Sequence, residues 1–274
     1  SMFFSVFWLT GIAAVLVMLS VAGYVVVKGF SWITPDFFTT SPRGGLSGEG
    51  GILSTIITTV YLVLLTLAVA TPLGVGAGIY LVEYADQSRS PLAARITSAA
   101  RFGVETLAGV PSIIFGLFGY ALFVTALKLG FSLASASLAG ACLIIPVIIR
   151  TTEEALKSVP DSYREGSLAL GASRWETVWK VVLPPAFPGI TTGIVLGAGR
   201  IVSETAIFFV TLGGSYRTPS SLMSGGRSMA LHVYYLAMET RAFDKAMATA
   251  AVLVVLVMNL SINMISRRIS RNAR

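Results

Sequence analysis

Two ionisable residues, Arg200 and Glu204, stand four positions apart in the otherwise apolar run Val181–Leu212. On a continuous helix that spacing puts both on one face. A guanidinium is a planar fork of donors that keeps its charge and grips oxyanions through two parallel hydrogen bonds. A charge at the centre of a bilayer costs roughly 2.5–3.5 kcal/mol, so each residue needs a partner or a wet cavity. Two readings stand side by side. In one, an internal Arg–Glu pair locks helix packing. In the other, Arg200 faces a translocation path and contacts a passing anion, while Glu204 holds the guanidinium in place and keeps binding weak enough for release. Gly193, Gly197 and Gly199 leave room for another backbone or for a hydrated anion.

A second constellation lies in 151–188. Ser158-Val159-Pro160-Asp161 offers a helix start, with a capping serine, a proline in the first turn and an acid near the positive end of the helix dipole. That helix is expected to run through Tyr163, Glu165, Leu168 and Ala169 and to stop at Gly171, which can turn left-handed. Ser173-Arg174-Trp175-Glu176 then has the spacing of a capping box. The helix it starts would place Trp175, Val178, Trp179 and Val182 on one apolar stripe, and Leu183-Pro184-Pro185 is expected to end it. Two short helices joined at a glycine make a knob suited to a partner's groove, or else an amphipathic hairpin lying on the membrane surface.

The remaining candidates are weaker. Glu83 and Glu105 sit near the ends of apolar runs, where solvation at headgroup level accounts for them. His232 has no neighbouring ligands and reads as a hydrogen-bonding surface residue. Cys142, between Ala141 and Leu143, reads as a small core residue. One cysteine and one histidine exclude a disulfide framework and leave no ligand set for a structural or catalytic metal. No G-x-x-x-x-G-K-[ST], H-E-x-x-H or G-x-S-x-G occurs, so the chain carries no P-loop, zincin or hydrolase signature and any energy source must be external.

The elements that must position these residues follow from composition. Of 274 residues, 54% are hydrophobic and 12% charged, about half the ~25% of charged residues usual in soluble domains. Such a chain cannot keep its surface wet, so an integral membrane protein is expected. No charge occurs in residues 1–27, 50–82, 106–127, 129–149 or 246–266. Each of these stretches reaches the ~20 residues that cross a bilayer as a helix. With Val181–Leu212 they predict six spans, over residues 3–27, 52–84, 104–127, 130–150, 189–212 and 244–266. The expected fold is an all-α, polytopic membrane protein of one transmembrane domain, 1–274, with a cytoplasmic loop at 151–188. Pro72 is expected to kink or break the long second span, and Pro111 and Pro146 the next two. Lys and Arg fall more often on inner segments when both termini are inside. The net charge of +7 is then explained by cytoplasmic loops, without nucleic acid. The N-terminal run reads as a retained helix, and Ser1 before Met2 as an appended residue ahead of which a natural arm is expected.

Glu165-Gly166-Ser167, Gly171 and Val181-Val182-Leu183-Pro184 resemble the EAA loop of ABC importer permeases. Glu165, Gly171 and Pro184 match by spacing, and Gly166 and Ser167 stand for two alanines. Gly109-Val110-Pro111-Ser112, Thr71-Pro72-Leu73-Gly74 and Glu204-Thr205-Ala206 are similar to the phosphate-specific permeases, with Ser203 where glycine is usual. Val159-Pro160-Asp161-Ser162-Tyr163 and Leu231-His232-Val233-Tyr234 favour their A-type (PstA) branch. The resemblance covers roughly residues 50–266. It implies a type I importer permease fold and a non-catalytic subunit of a phosphate importer in a bacterial inner membrane. Glu165, Gly166, Ser167, Gly171, Trp175, Leu183 and Pro184 would couple to a cytoplasmic ATPase. It also implies partners: a C-type permease subunit, an ATP-binding subunit dimer that holds ATP and Mg, and an extracytoplasmic phosphate-binding protein facing 28–50 and 213–245. Sulfate, molybdate or an organic solute as cargo, and a self-contained secondary transporter or channel, are the rival readings. An intramembrane enzyme lacks any nucleophile–base constellation.

Overall fold

The structure is a computed structural model describing residues 2–43, 49–85, 91–238 and 243–256. The described residues are helical, with no named strand and one isolated bridge between Arg43 and Glu49. In chain order the helices are α1 (Met2–Phe30), α2 (Pro35–Thr39), α3 (Leu53–Ile79), α4 (Pro91–Ala108), α5 (Ser112–Gly119), α6 (Leu133–Lys157), α7 (Asp161–Ala169), α8 (Arg174–Glu176), α9 (Leu183–Ser203), α10 (Ala206–Thr211), α11 (Met229–Met238) and α12 (243–256). Wide π-turns extend α3 over Tyr80–Ala85 and α5 over Tyr120–Ala126, and join α8 to α9 over Thr177–Val182.

Among the described residues, four helices are long and apolar enough to cross a membrane: Val6–Phe30, Leu53–Ala85, Leu133–Lys157 and Arg174–Ser203. A fifth crossing arises if α4 and α5 are taken together, although they are bent by 105° at their junction. Of the expected sixth span, 243–256 is helical and 257–266 lies outside the described residues. The third span is therefore no straight rod. Pro111, extended at φ −56° and ψ 137°, opens α5, where its missing N–H would go unbonded anyway. Pro72 and Pro146, by contrast, break nothing and lie inside α3 and α6. Proline's fixed φ is itself helical, and neighbouring helices can satisfy the carbonyl it leaves free.

The fold divides into two compact units. One comprises residues 1–59, 214–220 and 226–274, and the other 60–213 with 221–225. In the first, α1 is exposed along its apolar length, as a lipid-facing helix is. Its Gly29 backs onto the backbone of Met247 and Ala248 so closely that a Cβ would collide. Phe37, Ile52, Met229 and Ala248 form the core of this unit, and the Met229 N–H donates to the Thr59 hydroxyl at 2.9 Å.

The second unit is built around α6, which is mostly buried along its apolar length, as α1 is not. Small residues let backbones approach, as is usual where lipid offers no hydrophobic drive. Gly74 and Gly78 of α3 face Ile148 and Thr152, while Gly193 and Gly197 of α9 face Thr151 and Ile144. Gly193 and Gly197 thus make room for side chains of α6, not for an anion; Gly199 has open space beside it. A Cβ at Gly193 would overlap the Thr151 side chain, whose β-branch holds it in few rotamers. Gly193→Ala is expected to destabilise the subunit by about 1–3 kcal/mol, the usual range for overpacking. Thermal unfolding of the solubilised complex, with Gly199→Ala as the neutral control, checks this.

Candidate functional site

The 151–188 segment folds as two short helices hinged at a glycine. Gly171 has φ +86° with no atom within 4 Å of a built Cβ, so conformation alone demands glycine there. The capping box forms: Ser173 Oγ accepts from the Glu176 N–H at 3.2 Å, and Glu176 Oε2 accepts from the Ser173 N–H at 3.1 Å. Ser167 and Thr177 share a hydroxyl hydrogen bond of 2.9 Å that pins the two helices together.

Three local expectations are corrected. Ser158 does not cap α7; it closes α6 with its hydroxyl on the Ala155 carbonyl, and Pro160 takes the N-cap position. Leu183-Pro184-Pro185 does not end the second helix, which continues unbroken from Arg174 to Ser203. The preceding π-turn makes this possible, because the Leu183 N–H reaches back five residues to Val178 and the prolines fall in the first turn of α9, where they are tolerated. The expected stripe also splits. Val178 and Val182 are buried, whereas Trp175 and Trp179 are exposed with their rings 5.2 Å apart. Ala155, Leu156, Val159, Val182, Ala186 and Ile190 form a core beneath the hairpin, with Leu183 packed against it. The outward face shows Tyr163, Leu170 (90% exposed), Trp175 and Trp179, beside exposed Glu165 and Gly166. Pro184 is exposed and Ser167 half-buried.

Glu83 is the residue most at odds with its sequence reading. It is not solvated among headgroups but 4% exposed, in the π-turn that ends α3. Arg164 of α7 holds it through Nη2–Oε1 at 2.7 Å and Nε contacts at 3.2 and 3.3 Å. Removing one partner of such a buried pair costs about 3–5 kcal/mol. Glu105 is exposed, and Cys142 is only partly covered on α6, not in the core.

Arg200 and Glu204 do not share a helix face. α9 ends at Ser203, and Glu204 is extended at ψ 126°. Its Oε1 accepts from the N–H groups of Ala206 and Ile207 at 3.1 and 3.4 Å. The carboxylate thus takes up two N–H groups that the start of α10 leaves free. Glu204 is 8% exposed and satisfied by backbone; among the described residues no ion pair joins it to Arg200. Arg200 is exposed while its neighbours Ile201 and Val202 are buried. An exposed guanidinium on so apolar a helix calls for water, an anion or another subunit beside it, not acyl chains.

A further cluster escaped the sequence. Arg227 is 5% exposed and has no carboxylate partner among the described residues. Its Nε and Nη2 donate to the Gly214 carbonyl at 3.0 and 2.8 Å, Nη1 lies 3.3 Å from His232 Nδ1, and the group stacks 4.4 Å from the Tyr235 ring centre. Burial, and after it the adjacent Arg227, push His232 down to about 3, so the ring is neutral and Nδ1 can accept. His232 is thus a buried residue that helps hold the Gly214 turn, not a surface one. No group of His, Cys, Asp or Glu among the described residues could hold a metal ion.

A family profile described as binding-protein-dependent transport system inner membrane component matches residues 70–274. The probable ABC transporter permease protein YqgI of Bacillus subtilis is 32% identical over 91% of this chain and 88% of its own length. The phosphate transport system permease protein PstA of Mycobacterium leprae is 34% identical over 96% and 85%, and that of Haemophilus influenzae 37% over 70% and 66%. Among solved structures, a bacterial alginate ABC transporter, in complex with alginate pentasaccharide-bound periplasmic protein, superposes with a TM-score of 0.68 at 17% identity, covering 96% of this chain and 93% of that one. The MetNI methionine ABC transporter in an inward-facing conformation gives 0.57 at 22%, covering 82% and 94%.

Proposed function

Because the chain belongs to the family of binding-protein-dependent transport system inner membrane components, we propose that it is the A-type permease subunit of an ATP-driven phosphate importer. It is a multi-pass, all-α membrane protein. In the assembly it forms half of the translocation pathway beside a C-type permease, with both termini cytoplasmic. ATP and Mg are bound by a dimer of partner ATPase subunits, and phosphate is delivered by an extracytoplasmic binding protein at the 28–50 and 213–245 segments.

One observation carries the mechanism: the second helix of the exposed hairpin runs without a break into the helix that bears Arg200. Closure of the ATPase dimer would push on the exposed face around Leu170, Trp175 and Trp179, with Glu165, Gly166 and Ser167 beside it. Packed elements move as rigid bodies more readily than they deform, so a displacement at Gly171 would reach Arg200. The similarity to phosphate permeases at 34–37% identity and the oxyanion-binding fork of Arg200 support phosphate as cargo over sulfate, molybdate or an organic solute.

Reconstitution in liposomes of this chain with its neighbouring permease, ATPase and binding protein tests the reading. Phosphate uptake should require ATP and the binding protein and should not be displaced by excess sulfate. Uptake driven by an ion gradient with the ATPase left out would overturn it in favour of a secondary transporter.

A further inference from the structure

Among the described residues, three spans end at the root of the coupling hairpin, and two of them run directly into it along the chain. α6 leads into α7 through residues 158–160, and α8 continues into α9. α3 does not adjoin either hairpin helix in the chain, yet its terminal π-turn carries Glu83, gripped by Arg164 at 2.7 Å. The same guanidinium donates from Nη1 to the Val159 carbonyl at 2.8 Å and from Nη2 to the Leu156 carbonyl at 2.9 Å, where α6 closes. Arg101 of α4 donates to the Leu81 carbonyl inside the π-turn at 3.4 Å and pairs with Glu153 of α6 at 3.3 Å. The ends of α3 and α6 and the first hairpin helix therefore meet at one side chain, Arg164.

Apolar contacts between Val75, Ile79, Val82 and the core under the hairpin are non-directional and let helices slide. A buried ion pair does not, because a small separation leaves the buried Glu83 carboxylate unpaired in a poorly polarisable surrounding, even though Arg164 keeps Asp161 at 3.1 Å. π-turns recur at functional sites in helices, and here one sits where the load would be applied. We propose that Glu83 and Arg164 form a yoke that makes the second span follow the coupling hairpin when the ATPase moves it. The inference rests on the permease reading above and names the positioning residues through which one span is driven.

The test uses the reconstituted complex and reads phosphate moved per ATP hydrolysed. Glu83→Gln is expected to lower that ratio about threefold while hydrolysis stimulated by the binding protein persists, with Arg164→Lys closer to the native value. In a Cys142→Ala background, Glu83→Cys with Arg164→Cys should show the low ratio. Bridging the two thiols with a short bis-methanethiosulfonate should restore it, and reductant should remove it again. A pair that only stabilised the fold would lower transport and hydrolysis together. A ratio unchanged in Glu83→Gln, or one that bridging fails to restore, would overturn the yoke. Should Glu83→Gln fail to assemble, the bridged and reduced states of the same sample decide. Failure of the permease reading would show in the native complex as absent phosphate uptake, whereas failure of the yoke shows only in the variants.

Discussion

Replacing Gly171 with valine is expected to lower ATP-driven phosphate uptake on the order of 10- to 100-fold while the subunit still assembles with its ATPase. The residue sits at φ +86° with nothing within 4 Å of a built Cβ, so crowding has no part in the effect. A non-glycine residue held in that region costs of order 1–3 kcal/mol, and a β-branched one lies at the upper end. The hairpin escapes the strain by leaving the geometry in which α7 and α8 present their outward face together. If docking needs that geometry, its population falls by the corresponding factor, tenfold for each 1.4 kcal/mol. Hydrolysis in the complex should persist in part, since on the proposed reading ATP is bound and cleaved by the partner. Uptake and phosphate release from ATP, measured on the same liposomes, give the answer. Gly171→Asn, which tolerates the left-handed region better, should fall between the two, and native coupling in the valine variant would remove this hairpin from the mechanism.

Arg200→Gln should reduce phosphate uptake by about 10- to 100-fold with normal amounts of assembled complex. Hydrogen bonds to a charged group contribute about 1.5–3 kcal/mol each, and glutamine keeps a donor but loses both the charge and the fork. Arg200→Lys, which restores only the point charge, should recover part of the uptake. The structure sharpens this expectation. Glu204 is engaged with the N–H groups of Ala206 and Ile207 and does not neutralise Arg200, so the guanidinium is left to a ligand or a neighbouring subunit. Unchanged uptake with normal subunit levels would place Arg200 outside the anion's path and favour a contact with the other permease.

The two-helix hairpin of 151–188 was readable where its determinants are local. Gly171, the Ser173–Glu176 box and the acid at Asp161 act within one or two turns, and each was found where its residue type implied. The continuation through Pro184 and Pro185 was not readable, because proline signals a stop unless a wider turn precedes it. Nothing in Thr177–Val182 announces such a turn. Glu83 was misread for a related reason: its partner Arg164 lies 81 residues away, and a carboxylate at the end of an apolar run looks the same whether it meets headgroups or a guanidinium.

Hydrophobic run length and charge spacing alone determined that this is a helical membrane protein with a polar, two-helix excursion. Transfer out of water depends on how many apolar residues follow one another and on little else. Tertiary structure decided the rest: that α9 ends at Ser203 and leaves Arg200 and Glu204 on separate elements, that Gly193 serves packing against Thr151, and that Arg164 binds a span to the hairpin. Each of these depends on groups brought together from distant stretches of chain, where burial selects which of several possible hydrogen-bond partners is used.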